Sequence, residues 1–122
     1  MIKDDFFTDF MERLSVHDPN DKSGALAALR LREKKDGCSY WPEVVRCFYC
    51  VRNRPPAVGL TNKDRRWRGP NYLKRAVLRC PGRGAYIPDE AFRVAAIAAG
   101  MTRKGDTFLV RGEFWLLDPG EV

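Results

Sequence analysis

The excess positive charge of this sequence lies in a single stretch of the chain. This uneven distribution is the strongest constraint on the fold, because the fold must place these cations at a local basic surface. Residues 46–85 contain eleven basic residues and one acidic residue, Asp64. Residues 1–45 contain seven basic and nine acidic residues, and residues 86–122 contain four and six. The net charge of +6 is therefore a block of +10 between two ends of −2 each.

Arginine accounts for nine of the eleven basic residues in this block. Its planar guanidinium group matches phosphate oxygens and stacks on bases, so the block predicts contacts with the backbone of DNA or RNA. Two alternatives stay open: a solvated face neutralised by the acidic ends, and a surface that binds an acidic protein. The predicted binding residues are Arg52, Arg54, Lys63, Arg65, Arg66, Trp67, Arg68, Tyr72, Lys74, Arg75, Arg79 and Arg83.

Two aromatic residues in the block have a second predicted role. Trp67 lies between Arg66 and Arg68, and an aromatic ring flanked by guanidinium groups can stack a base while the arginines hold phosphates. Tyr72 has the same interpretation. The alternative for both is an apolar anchor that covers the core.

The length of 122 residues predicts a single domain. Its expected parts are a helical lobe at 1–54, a basic loop and helix at 55–85, and a helix with a hairpin at 86–122. The hydrophobic fraction of 44% is sufficient for a packed core. The longest apolar run, Val94 to Ala99, is too short for a membrane span, and no secretory signal is evident. We therefore expect a cytoplasmic protein.

Apolar residues recur at helical spacing in five segments. Ser23 is the expected cap of the second helix, Asp36-Gly37 its end, and Gly100 the expected end of the fifth. The predicted helices cover residues 3–14, 23–35, 41–53, 70–79 and 88–99.

The remaining segments predict a loop and short strands. Pro55-Pro56 breaks the chain, and residues 55–70 are expected to form a long loop. Residues 102–110 predict a β-hairpin with Gly105-Asp106 at its turn, and residues 114–117 a further strand. The expected fold class is α+β.

The order of a helix followed by a hairpin also suggests a winged-helix arrangement. A reading helix needs several polar side chains at base edges, but the fifth helix offers Arg93 as its base-reading candidate. In such a lobe, Arg103 and Lys104 of the wing are better candidates, and they would contact phosphate.

Catalysis is not indicated. His17, the single histidine, is expected in a polar loop and excludes sites that need two histidines. The segment Gly82-Arg83-Gly84 lacks the spacing and lysine of a P-loop, and no carboxylate pair lies in an apolar context. We predict that the chain is not an enzyme and has no cofactor.

Four cysteines leave a structural zinc site as an alternative. Cys47 and Cys50 have a two-residue gap, as in a zinc knuckle, while Cys38 and Cys80 are isolated. Cys47 and Cys50 also lie in a helical pattern, where thiols behave as small buried apolar groups. We prefer the interpretation of Cys47 and Cys50 as buried apolar groups to that of a zinc site. A disulfide framework is not expected.

Three segments of the first fifty residues carry a resemblance to a known family: Phe10–Leu14, Gly24–Arg30 and Tyr40–Val45. In these segments the chain resembles the small-subunit family of type I CRISPR surveillance complexes (Cascade). The resemblance implies a helical, non-enzymatic protein whose basic surfaces hold guide RNA and displaced DNA, with Arg30 as the one matching residue. From Pro55 onward the sequence departs from that family.

These observations together predict a non-enzymatic protein that binds the phosphate backbone of nucleic acid through its Arg-rich segment, as one subunit of a nucleoprotein complex. The alternative is a phage or mobile-element interaction module, an inhibitor or accessory subunit. In that case the arginines and aromatics would bind an acidic protein partner.

Overall fold

The described residues form five α-helices and a small three-stranded antiparallel sheet, which confirms the predicted α+β class. The computed structural model describes residues 2–54, 64–79, 86–112 and 115. The helices are α1 (Ile2–His17), α2 (Ala25–Asp36), α3 (Trp41–Arg52), α4 (Pro70–Arg79) and α5 (Asp89–Ala98). The strands are β1 (Arg65–Arg68), β2 (Arg103–Lys104) and β3 (Thr107–Arg111).

Helix α5 lies at the centre of the core. Seven of its ten residues are buried, and it contacts α1, α2, α3 and α4. A helix that is apolar nearly all round must be enclosed by other elements. Ala95 and Ala96 have no exposed surface, and such small side chains allow the surrounding helices to approach closely. The two acidic residues of its first turn, Asp89 and Glu90, suit the positive end of the helix dipole.

An aromatic cluster joins α1 to α3. The rings of Phe10 and Phe48 are almost fully buried and meet edge to face, with centroids 5.3 Å apart. Trp41 packs edge to face on Phe10 at 5.2 Å. Such pairs add roughly 0.5–1.5 kcal/mol to the hydrophobic gain of burial. The apolar faces predicted for these two helices therefore form the N-terminal half of the core.

The prediction that Ser23 caps α2 is confirmed in part, because the Ser23 hydroxyl accepts a hydrogen bond from the backbone N–H of Ala25 at 3.1 Å. Gly24 occupies the cap position with a φ of +76°, a conformation that favours glycine. The carboxylate of Asp21 accepts two more hydrogen bonds, from the backbone N–H groups of Leu26 and Ala27, at 2.9 and 3.0 Å. The short 3-10 turn Pro19–Asp21 places the Asp21 carboxylate at the N-terminus of α2. The sequence did not indicate this cap, because Pro19 predicts only a loop.

Asp18 links the helices to the hairpin. Its side chain is fully buried, and it accepts hydrogen bonds from the backbone N–H and hydroxyl of Ser23, at 3.0 and 2.6 Å. Arg103 of β2 donates to the same carboxylate from 3.2 Å. Burial alone would raise the pKa of Asp18, but the bonds from Ser23 and the charge of Arg103 outweigh it and hold that pKa below its ordinary value.

The sheet has the strand order β1-β3-β2, with both neighbouring pairs antiparallel. The hairpin predicted around Gly105-Asp106 is confirmed. The loop predicted at 55–70 is wrong for residues 65–68, which form β1. Arg-Arg-Trp-Arg has no alternation of apolar and polar residues, so its strand conformation depends on pairing with β3, whose paired residues lie 40 to 46 positions later in the chain.

The helix boundaries agree closely with the predicted ones. Helix α4 begins at Pro70 and ends at Arg79, as expected. His17 is the last residue of α1, so the prediction that it lies in a loop is wrong. Gly100 has a φ of +84°, and a Cβ atom at this position would lie 3.1 Å from Nε2 of the His17 ring. Of the strand predicted at 114–117, only Trp115 lies within the described residues, in a 3-10 turn.

Within the described part of the chain, no helix has the length and apolar character to cross a membrane.

Replacing Asp18 with Asn should lower the free energy of unfolding at pH 7 by about 1–3 kcal/mol, because it leaves Arg103 facing a buried neutral group. The pKa of Asp18 is lower in the folded protein than its ordinary value of 3.8, so the carboxylate stabilises the fold above that value. This contribution is lost as the pH falls through the folded-state pKa. The measurement is urea unfolding at pH 7 and at about pH 3.

Asp106→Asn provides the matched control, since Asp106 forms an ion pair with Arg93 but its side chain is 80% exposed. That change should cost less than about 0.5 kcal/mol. Equal effects of the two substitutions at pH 7 would contradict the role given to Asp18.

Candidate nucleic-acid interface

The register of β1 and β3 divides their side chains between two faces of the sheet. Phe108 and Val110 belong to the buried core, so the residues opposite them, Arg68 and Arg66, share the core-side face. Arg65 pairs with Arg111 and Trp67 with Leu109. Because successive side chains point to opposite faces, these four residues share the outer face.

We call five arginines the basic edge: Arg65 and Arg111 on the outer face of the sheet, Arg66 and Arg68 on its core-side face, and Arg75 on α4. Arg65, Arg66, Arg75 and Arg111 are exposed, and Arg68 is half-buried. Arg65 and Arg111 lie directly opposite each other.

Tyr72 connects β1 to α4 within the basic edge. The guanidinium carbons of Arg68 and Arg75 lie 5.4 and 5.6 Å from the centroid of its ring. Tyr72 itself is partly buried and packs against the core. Its ring therefore already binds two cations, which positions Arg68 beside Arg75.

Trp67 differs from Tyr72 in its surroundings. It is half-buried on the outer face, with Leu109 as its cross-strand neighbour. Between described residues, the ring–ring and cation–π contacts do not include Trp67. Of the two aromatic residues predicted to stack bases, Tyr72 is the one over which arginines of the described segments lie.

Three arginines of the basic edge differ in their ion pairing from several basic residues elsewhere in the described part of the chain. None of the salt bridges between described residues involves Arg65, Arg68 or Arg75. In contrast, Arg103 pairs with Asp18, and Arg93 pairs with Asp106 and donates to the Ser23 carbonyl at 3.1 Å. Arg93 and Arg103, the candidates that a winged helix would use, therefore serve intramolecular contacts, while Lys104 is exposed.

Two of the predicted binding residues hold the fold together. Arg54 is only 7% exposed, and its guanidinium carbon lies 5.1 Å from the ring centroid of Trp115. The Lys74 ammonium lies 2.8 Å from a carboxylate oxygen of Asp89 and donates to the Ile87 carbonyl at 2.9 Å. We leave both residues out of the basic edge.

The other predicted residues divide between a second location and the undescribed segments. Arg52 is exposed at the end of α3, over the ring of Phe48 at 5.4 Å. Lys63, Arg83 and the side chain of Arg79 lie outside the described residues. Arg111 was not among the binding residues predicted from the sequence. Its place in the basic edge follows from the strand register, which puts it opposite Arg65.

The cysteines that are described lie in two environments. Cys47 and Cys50 are buried and Cys38 is exposed, while Cys80 lies outside the described residues. Burial raises the pKa of the Cys47 thiol to about 12, so this thiol does not ionise at neutral pH. Within the described segments, no three His, Cys, Asp or Glu residues are grouped to hold a metal ion.

No protein-family model, curated protein or solved structure matches this chain. The resemblance of the N-terminal half to the Cascade small subunit therefore stays a prediction. Arg30, its one matching residue, is exposed on α2.

Replacing Arg65 with Glu should raise the free energy of unfolding by up to about 1 kcal/mol, because it converts a repulsive cross-strand pair with Arg111 into an attractive one. Arg65→Gln removes the repulsion without adding an attraction and should give an intermediate value. Urea unfolding at low salt measures both variants. A loss of stability in Arg65→Glu would contradict the register that places the two arginines opposite each other.

A thiol reagent applied to the native protein at pH 7 should modify Cys38 and leave Cys47 unmodified, because the latter is buried and protonated. In urea both should react. Mass spectrometry of the peptides gives the extent at each site, with Cys38 as the internal control. Rapid native labelling of Cys47 would contradict its placement in the core.

Proposed function

We propose that this chain is a non-catalytic nucleic-acid-binding protein that holds the phosphate backbone through the basic edge, as a subunit of a nucleoprotein complex. The observation that carries the proposal is the exposure of several arginines together. Arg65 and Arg75 are exposed, Arg68 is half-buried, and described acidic residues form no ion pair with these three. Such guanidinium groups are available for charge-assisted bonds to phosphate oxygens.

The proposed contacts favour affinity over sequence readout. Phosphate contacts fix the position of a nucleic acid but carry no direct sequence information. A reading helix would have to lie in the major groove. Helix α5, which stands in that position in the chain, is buried, and its Arg93 is engaged by Ser23 and Asp106. This supports a backbone binder with little sequence preference.

A second candidate function rests on the aromatic cluster of α1 and α3. Phe7 and Tyr49 are each 48% exposed, and Trp41 is half-buried in contact with Phe7, at 5.2 Å between ring centroids. Exposed aromatic residues beside an arginine such as Arg52 are common anchors of protein interfaces. This surface favours the alternative of an interaction module from a phage or mobile element.

Simultaneous replacement of Arg65, Arg66 and Arg68 by Ala should weaken binding to DNA and RNA oligonucleotides. If each of the three arginines contacts a phosphate, the slope of log affinity against log salt should become shallower by about 2 to 3. The measurement is fluorescence anisotropy across a salt series. Circular dichroism should confirm that the triple variant is folded.

The matched control is the triple change of Lys22, Lys34 and Lys35 to Ala, which removes the same charge from exposed positions outside the basic edge. It should leave the salt slope nearly unchanged. Equal losses in both variants would mean that net charge, and not the basic edge, determines binding. Absence of binding to any oligonucleotide at low salt would refute the proposed function.

A further inference from the structure

The geometry points to a binding site for a small apolar carboxylate in a cavity between α1 and α2. The cavity has a volume of about 180 Å³. The described residues that line it belong to α1, α2, α3, α5 and the segment before α3, and the arginines of the basic edge are not among them. The inference therefore goes beyond the proposed function and does not depend on it.

Helices α1 and α2 leave this gap because both pack on α5, while they contact each other little. Phe10 and Met11 of α1 line one side of the cavity, and Leu26 and Leu29 of α2 line the other. Val94 of α5, the helix on which both pack, also lines it. An apolar lining between packed helices is typical of sites that bind small molecules.

The cavity extends from the core to the surface. Among its lining residues, Phe10 and Val44 are almost fully buried, Trp41 is half-buried, and Phe7 is 48% exposed. An engineered apolar cavity of about 150 Å³ binds benzene, so the volume suits a phenyl ring or a branched aliphatic chain. The open side leaves the polar group of such a ligand at the surface.

Arg30 supplies a cation at the open side, where it is exposed and lines the cavity together with Glu33 and Ser39. Between described residues, Arg30 takes part in no ion pair, hydrogen bond or cation–π contact. In contrast, Glu33 accepts the backbone N–H of Tyr40 at 2.7 Å, and the Ser39 hydroxyl accepts that of Trp41 at 3.2 Å.

Charge complementarity therefore favours an anionic head group on Arg30. A guanidinium group binds a carboxylate through two parallel hydrogen bonds. Glu33 lies one turn further along α2, and its negative charge disfavours a doubly charged phosphate more than a singly charged carboxylate. The ligand class is thus an apolar body of one ring or one branched chain that carries a single carboxylate.

The test is a titration with phenylacetate, phenylethanol and phenylethylamine, which share the ring and differ in the charge of the head group. A ligand of this size should bind with a Kd of about 0.1–1 mM. Phenylacetate should bind about three- to tenfold more tightly than phenylethanol, and the amine most weakly. The NMR shifts of the Leu26 and Leu29 methyl groups report binding, and Val77, which is buried on α4 outside the cavity, is the internal control.

Two variants and a matched control assign the site. Arg30→Gln should remove the preference for phenylacetate over phenylethanol, and the fold should stay intact because Arg30 is exposed. Lys34→Gln removes the same charge from an exposed position of α2 outside the cavity and should keep the preference. Leu26→Trp adds volume inside the cavity and should abolish binding of both ligands.

Several outcomes would overturn the inference. If none of the three ligands shifts the Leu26 and Leu29 methyl resonances at its highest soluble concentration, the cavity is not a binding site. If phenylethanol or the amine binds as tightly as phenylacetate, or if Arg30→Gln keeps the preference, the carboxylate assignment is wrong. The affinity for oligonucleotides should be the same with and without phenylacetate, so failure here leaves the proposed function standing.

Discussion

The enclosure of α5 is the constraint on which the other elements of the structure depend. Its sequence is apolar nearly all round, so it is stable only when other helices cover it. Helices α1, α2, α3 and α4 do so, and the fully buried alanines Ala95 and Ala96 permit their close approach. An enclosed helix is not available to read a DNA groove. The proposed binding surface therefore lies on the sheet and on α4.

The small sheet depends on the helical core for its position. An isolated two-stranded hairpin is marginally stable in water, and a small sheet gains stability by packing an apolar face on other elements. Phe108 packs edge to face on Phe92 of α5, with centroids 6.3 Å apart, and Arg103 reaches the buried carboxylate of Asp18. One apolar and one ionic contact thus fix the orientation of the strands that carry Arg65 and Trp67.

The sequence was sufficient to predict the helices, since each has an apolar face of regular spacing or proline near its start. It was also sufficient for the hairpin, because Gly105-Asp106 is a local turn signal. It was not sufficient for β1, which has no periodic pattern and forms only through a distant partner. The same limit applies to Arg111. Local sequence shows that a residue is charged, but only the strand register shows which side chain it faces.

The arginine block of the sequence also divides in a way that composition cannot predict. Arg54 and Lys74 are engaged with Trp115 and Asp89, whereas Arg65 and Arg75 are exposed. Long cationic side chains can serve either purpose, since their stems pack on apolar surface while the charged group reaches a partner or water. The choice depends on which acidic or aromatic groups the fold brings near each of them.

The pairing of β1 with β3 has a consequence for synthesis of the chain on the ribosome. Strand β1 is made well before β3, and the outer face requires both. Trp67 and Arg65 therefore acquire their cross-strand neighbours only after residue 111 has left the exit tunnel and the hairpin has docked on α5. An incomplete chain has the arginines of β1 but not the assembled face, which delays the proposed binding site until the fold is nearly complete.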